Sequence, residues 1–270
     1  MTINLDEKGL KSIISDYDLF FIDIWGVLHN GINLYKNSID TLNKIENLNK
    51  DYILLTNAPR PNSTVIKFLK KLGLDNSKCE RVFTSGEAAL KYLNLDYKDL
   101  KFFHIGPERD FDLFKLFKKN KVDKIIDCDF LLCTGLFDEY DKNLDYYKSL
   151  LKDNKKKMIC TNPDLIVDRG NSREYCAGMV AKIFEENGGK VDYFGKPYPL
   201  VYNLSADIKN KRILCIGDNL NTDIRGANNQ NFSSLLISDG IHKNEINDNL
   251  KSFFNSYKVK VDYVQTKLKW

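Results

Sequence analysis

FFIDIWGVLHNG, Phe20–Gly31, is the stretch on which the reading of this chain turns. Leu19, Phe20, Phe21 and Ile22 form an uninterrupted apolar run, the pattern of a strand buried on both faces. The run stops on a single carboxylate, Asp23, and turns through Gly26. In open α/β folds ligands bind outside the carboxyl ends of parallel strands, so this arrangement puts an acid where chemistry is done. A carboxylate there can act as a nucleophile or as a ligand for a hard cation. It can also do no more than cap a turn, and the stretch alone does not decide between these roles.

Segments on either side repeat the alternation. Asn37–Leu48 places Ile39, Leu42, Ile45 and Leu48 on one helical face. DYILLTN follows as a short buried strand ending in Thr56 and Asn57, and NSTVIKFLKKLG reads as a helix opened by Asn62 or Ser63 and stopped by Gly73. Strand, helix, strand, helix in this order implies parallel strands with right-handed crossovers. Asp23 and Thr56 then lie at the same edge of one sheet. Upstream, Glu7–Ser15 has helical spacing of Leu10, Ile13 and Ile14.

The middle of the chain carries KFFHIG, DKIIDCDFLLCTG and KKMICTNPD as strands, with helices at Phe111–Lys119 and near Leu144–Leu151. Arg173–Glu186 reads as a further helix with Tyr175, Val180 and Ile183 turned inward, closed by Gly188 and Gly189. Beyond it, VDYFGKPYPLVY sets Lys196 between a short strand and a proline-bounded turn. RILCIGDNLNTDIRGA is a second apolar strand ending in an acid, with Asp218 after Gly217 and Asp223 in the next loop. Two carboxylates on one loop repel each other unless a cation or hydrogen-bond donors compensate. Mg²⁺ suits that task, because it takes a few carboxylate oxygens, keeps waters and accepts phosphate oxygens. The other reading is an acidic, solvated loop.

Composition narrows the classes. The 270 residues can bury one large core or a core with an inserted domain. A net charge of +4, spread over scattered lysines, is too small and too dispersed for a nucleic-acid footprint. No window approaches a membrane span, and the first eighteen residues lack a basic stretch leading into an apolar core. Cys79, Cys128, Cys133, Cys160, Cys176 and Cys215 show no C-x-x-C pair and mostly sit in apolar runs, which predicts reduced core thiols and a cytoplasmic protein.

In order and spacing these segments resemble the haloacid dehalogenase superfamily, specifically its class IIA phosphatase-like branch, over nearly the whole chain. TSGEAAL (Thr84–Leu90), TNPD (Thr161–Asp164) and GKPYP (Gly195–Pro199) also look like signatures of that branch. The resemblance implies an α/β fold: a Rossmann-like, three-layer core with a parallel sheet, interrupted by an inserted α/β cap. It divides the chain into core residues 1–81, cap residues 82–191 and core residues 192–270. It implies Asp23 as the nucleophile, Thr56 and Lys196 as catalytic and phosphate-binding groups, and Asn57 as a further phosphate donor. It implies Mg²⁺ held by Asp23, the carbonyl of Trp25 and Asp218, with Asp223 either joining the metal site or pairing with Lys196. Asp164, Arg173 and Tyr175, on or near the TNPD loop, are the substrate-selecting candidates of the cap. The expected substrate is a small phosphorylated metabolite, with neither nucleic acid nor membrane as a partner, and a homodimer through the cap is plausible by resemblance alone.

One position departs from the family. Its phosphatases usually carry a second aspartate two residues after the nucleophile, which protonates the leaving oxygen; here that residue is Trp25. An indole offers only an N–H donor. The departure predicts slow turnover on alkyl esters or, as the alternative, a non-catalytic phosphometabolite-binding or regulatory protein on the same scaffold. His29 lies just beyond the turn and has a suitable titration range, although a ring bonded to the loop backbone explains it better.

Overall fold

Apolar runs from distant parts of the chain become the middle of one parallel sheet. The computed structural model describes residues 2–169, 172–246 and 249–270. Its strands are β1 (Ile3–Asn4), β2 (Leu19–Ile22), β3 (Asp51–Thr56), β4 (Val82–Thr84), β5 (Phe102–Ile105), β6 (Phe130–Cys133), β7 (Lys157–Cys160), β8 (Ile166–Arg169), β9 (Ser172–Tyr175), β10 (Val191–Tyr193), β11 (Ile213–Gly217), β12 (Ser233–Ile237) and β13 (Tyr263–Gln265). They form a seven-stranded sheet in the order β1-β13-β12-β11-β2-β3-β4, a four-stranded sheet β10-β7-β6-β5 and a two-stranded sheet β8-β9.

Every residue of β2 and β11 is buried, as continuous apolar strands covered on both faces must be. Both neighbours of β2 run parallel to it, with Ile22 opposite Ile216 on one side and Leu54 on the other. Asp23, Gly217 and Leu55 therefore follow in step at one edge, with Asp218 and Thr56 one residue further on. At about 3.3 Å per residue, this register alone brings the three strand ends to within side-chain reach. Helix Lys36–Asn47 buries Leu42 and Ile45 from the face the spacing predicts, and helix Asn62–Lys71 is followed by Gly73 at φ +95°, a conformation that ends the helix.

By contacts the chain divides into two units. The first comprises Met1–Thr56, Lys67–Phe83 and Lys196–Trp270, and the second Asn57–Ile66 and Thr84–Gly195. Residues 57–66, assigned above to the first stretch of core, group with the second unit because their loop bonds to it. Arg60 Nε reaches Asp110 at 3.0 Å, and Ser85 Oγ donates to the carbonyls of Ala58 and Thr161. That second unit holds the parallel sheet β10-β7-β6-β5, whose core gathers Leu131, Cys133, Met158, Cys160, Val180 and Phe184. All six cysteines are buried thiols.

Several expected elements differ. Residues Leu10–Ser12 and Ile14–Asp16 form two short 3₁₀ turns in place of the helix read over Glu7–Ser15. Glu108–Asn120 is a 3₁₀ segment, broken at Phe114 and Phe117, where an α-helix was expected over Phe111–Lys119. Phenylalanines three apart share a face in either helix type, so the spacing could not tell them apart. Only Phe130–Cys133 of the longer DKIIDCDFLLCTG run is a strand; Ile125–Asp127 is a 3₁₀ turn. The helix read over Arg173–Glu186 begins at Ala177, because Ser172–Tyr175 pair antiparallel with Ile166–Arg169. Tyr175 is accordingly 39% exposed instead of turned inward. Among the described residues, no helix is long and apolar enough to cross a membrane.

Candidate active site

Four buried side chains meet at the carboxyl edge of the seven-stranded sheet. Asp23 leaves β2 with its amide bonded to the carbonyl of Ile216 at 2.8 Å, which locks the strand end against β11. Lys196 enters from the turn before helix Pro199–Ser205. Its ammonium donates to Asp23 Oδ1 at 2.6 Å, to Asp223 Oδ1 at 2.7 Å and to the carbonyl of Leu55 at 3.0 Å. One lysine thus joins the ends of β2 and β3 to the loop after β11. Asp218 completes the group: ligand atoms of Asp23, Asp218 and Asp223 all lie within 4.8 Å of one another.

The local backbone is shaped for these acids. Gly26 turns at φ +79°, and a Cβ there would stand 2.2 Å from Asp218 Oδ2. A Cβ on Gly240 would meet the same oxygen at 2.2 Å, and one on Gly217 would meet Asp223 Cγ at 2.0 Å. Three glycines therefore form a cradle that only a missing side chain allows. Backbone donors complete it: Ile241 N–H donates to Asp218 Oδ2 at 2.9 Å, and Asn219 N–H donates to Asp223 Oδ2 at 3.1 Å.

Electrostatically the cluster is unbalanced. Three buried carboxyl groups face one ammonium in a site shielded from water, so that fully ionised the cluster would carry two negative charges in excess. Burial pushes the Asp23 carboxyl up to about 7, against the pull of Lys196 and with the push of Asp223. Burial, then Asp23 and Asp223, raise the Asp218 carboxyl well above the ordinary carboxylate range. Burial works against the Lys196 charge, yet the carboxylates of Asp223 and Asp23 more than reverse it and hold the ammonium above its usual range. An all-oxygen donor set short of positive charge fits a hard divalent cation such as Mg²⁺.

The remaining predicted residues fall as follows. Thr56 closes β3 and is buried. Trp25 lies on the turn after Asp23, with its indole edge-on to His29 at 5.1 Å and against Gly31. His29 Nδ1 accepts the Gly31 amide at 2.9 Å, and burial lowers the imidazole to about 4, so it shapes the loop as a neutral ring. In the second unit, Asn57 Nδ2 donates to Asp164 Oδ1 at 3.0 Å, and Asp164 N–H bonds Asn162 Oδ1. Gly195 packs against that asparagine, with room for no Cβ: one would lie 2.6 Å from Asn57 Oδ1. Arg173 and Tyr175 are exposed on β9. Sequence reasoning missed the Leu55 carbonyl and the Ile241 amide, since backbone groups carry no residue signature. The Gly240 after Asp239 was the available hint, repeating the acid-and-glycine pairing of Gly217-Asp218.

Comparisons with known proteins agree with the fold. Residues 20–117 match a family model described as haloacid dehalogenase-like hydrolase, and residues 193–268 match a second, HAD-hydrolase-like model. A 4-nitrophenylphosphatase of Schizosaccharomyces pombe is 25% identical over 273 residues, covering 88% of this chain and 89% of that protein. Phosphoglycolate phosphatase 2 of Arabidopsis thaliana is 24% identical over 271 residues, with 88% of each covered. Among solved structures, a haloacid dehalogenase-like hydrolase from Brucella suis 1330 superposes with a TM-score of 0.79 at 31% identity, covering 87% of this chain and 94% of that one. A Thermotoga maritima 4-nitrophenylphosphatase shares the fold, with a TM-score of 0.73 at 24% identity and 95% and 96% covered. With matching models in the first and last parts of the sequence and a relative of 31% identity aligned over most of its length, the chain belongs to the haloacid dehalogenase-like hydrolase family.

Proposed function

We propose that this protein is a Mg²⁺-dependent phosphohydrolase that removes phosphate from a small phosphorylated metabolite through an aspartyl-phosphate on Asp23. The observation that carries the reading is the buried cluster of Asp23, Lys196, Asp218 and Asp223 at the ends of parallel strands. The phosphatases among the relatives support it. A phosphate monoester is an anion that repels nucleophiles, so placement and charge neutralisation account for most of its catalysis. Asp23, Asp218 and the Trp25 carbonyl would hold Mg²⁺, which would supply positive charge to offset the carboxylates and the phosphate.

The protein's own groups have separate tasks. Lys196 holds Asp23 Oδ1 at 2.6 Å, which fixes the carboxylate for in-line attack and leaves a compact positive charge beside it. Asp223 keeps that lysine in place from the other side at 2.7 Å. The Thr56 hydroxyl, at the neighbouring strand end, is a hydrogen-bond donor for the transferring group. Asp23 forms a bond to phosphorus as the bond to the leaving oxygen breaks; water then hydrolyses the acyl phosphate, returning the carboxylate and inorganic phosphate.

Trp25 sets the substrate class. General acid–base catalysis typically contributes about 10²–10⁴-fold, so its loss costs roughly 3–5 kcal/mol of barrier. His29 does not replace it, because its Nδ1 is occupied by the Gly31 amide in a buried ring. The leaving oxygen must therefore depart with little help, which favours acyl, aryl and other activated phosphates over alkyl esters. The same residue favours the second reading, a phosphometabolite-binding or regulatory protein.

Phosphate release with Mg²⁺ from a panel of acyl, aryl and alkyl phosphates, for wild type, Asp23→Asn and Trp25→Asp, tests both readings. Wild-type turnover that vanishes in Asp23→Asn is the expected result. Turnover seen only after Trp25→Asp would establish the binding protein instead.

A further inference from the structure

The loop that carries Asp218 and Asp223 is gripped by three successive residues from the turn after β12. Gly240 lies against the Asp218 side chain, Ile241 N–H donates to Asp218 Oδ2, and His242 Nε2 accepts the Leu220 amide at 3.2 Å. Leu220 opens a wide turn, Leu220–Ile224, in which Asn219 carbonyl accepts both the Asp223 and Ile224 amides. The amide of a residue at the start of such a turn has no partner within it. Leu220 is fully buried, so without the imidazole this N–H would be stranded away from water.

The imidazole is itself held. Its Nδ1 lies 2.9 Å from Glu245 Oε2, and the Tyr257 hydroxyl donates to the same carboxylate oxygen at 2.9 Å. The rings of Tyr257 and Phe253 pack edge-on to the imidazole at 5.0 and 5.9 Å. A backbone N–H can only donate, so Nε2 is the bare nitrogen and Nδ1 carries the hydrogen directed at Glu245. A carboxylate that fixes a histidine tautomer is a recurrent way of orienting the group on the ring's far side. Here that group is the amide between the two acids.

We infer that His242 is a positioning residue: through the Leu220 amide, and backed by Glu245 and Tyr257, it sets the loop that presents Asp218 to Mg²⁺ and Asp223 to Lys196. The inference rests on the metal site proposed above. It deepens that site with a residue whose side chain bonds neither the acids nor Lys196.

The test compares His242→Phe, which keeps a ring but removes the acceptor, with His242→Gln, whose amide oxygen can take the place of Nε2. Calorimetric Mg²⁺ titration of metal-free protein, and hydrogen exchange at the Leu220 amide, are both read without turnover. Partners of this kind are worth about 10–100-fold in metal affinity, so His242→Phe is expected to weaken Mg²⁺ binding about 10-fold and His242→Gln less than about threefold. Leu220 exchange should speed up in the phenylalanine variant only. Should that variant not fold, Glu245→Ala, whose site is partly exposed, carries the comparison, with an expected loss of about threefold. Wild-type affinity in His242→Phe, or equal losses in the phenylalanine and glutamine variants, would overturn the inference while leaving the metal site standing. No Mg²⁺ binding by the wild type would overturn the metal site and this role together.

Discussion

The two parallel sheets treat buried charge in opposite ways. In the second unit, the buried carboxylate of Asp110 has a cation for itself, Arg60 Nε at 3.0 Å, and His104 at the end of β5 is a neutral ring bonded to Thr134 Oγ1 at 2.8 Å. In the first, three buried carboxylates share one ammonium. Both sheets are built from short apolar strands with the same parallel pairing. Parallel architecture is common to both; the deficit of positive charge at the strand ends is what sets the first sheet apart. A balanced cluster is finished when the chain folds, whereas one short of positive charge still attracts a cation.

Several changes would break or sharpen that contrast. The largest effect is expected for Asp23→Asn, with phosphate release falling by about 10⁴-fold or more, as when a nucleophile is removed. Asp110→Asn should instead destabilise the fold by about 1–3 kcal/mol and leave turnover within a few-fold. Equal kinetic damage from both, measured by steady-state assay, would erase the distinction. Lys196→Met removes the ammonium that bonds both Asp23 and Asp223 and should cost about 3–5 kcal/mol in urea unfolding. Saturating Mg²⁺ should recover part of that loss, as any ligand selective for the folded state does.

A third test concerns pH in the second unit. Burial, reinforced by Lys121, lowers His104 from its ordinary 6.5 to about 3. Because the folded value lies below the unfolded one, its contribution is complete above pH 6.5 and is lost as pH falls toward 3. His104→Gln should flatten the acid limb of the stability–pH curve by about 1 kcal/mol per pH unit in that window. An unchanged slope would show that folding leaves the His104 titration unshifted. The smallest effect is expected for Asp164→Ala, which removes the acceptor 3.0 Å from Asn57 Nδ2 and should lower the thermal midpoint by an amount equivalent to about 1 kcal/mol.

The sheet and the acids were legible in the sequence for one physical reason. A strand buried on both faces is a run of apolar residues, and Asp23, Thr56 and Asp218 each break such a run at its functional end. Lys196 was legible only by its place in GKPYP, since a lone lysine has no local signature. The β8-β9 pair was hidden because two strands of four residues are too short for alternation to show, and the apolar spacing of Tyr175, Val180 and Ile183 imitates a helix. His242 was unreadable for a related reason: its partner Leu220 lies 22 residues upstream, and the bond goes to a backbone amide.

The position of β2 between β3 and β11 also bears on how the molecule is made. β3 leaves the ribosome soon after β2, but β11 begins about 190 residues later. At 5–20 residues per second, one edge of β2 waits about 10–40 s for its neighbour. Through that interval a wholly apolar strand offers unpaired amides and carbonyls to any other growing chain, the exposure that seeds aggregation. Yield during expression should therefore respond to translation speed and chaperone supply more than the stability of the finished fold would suggest.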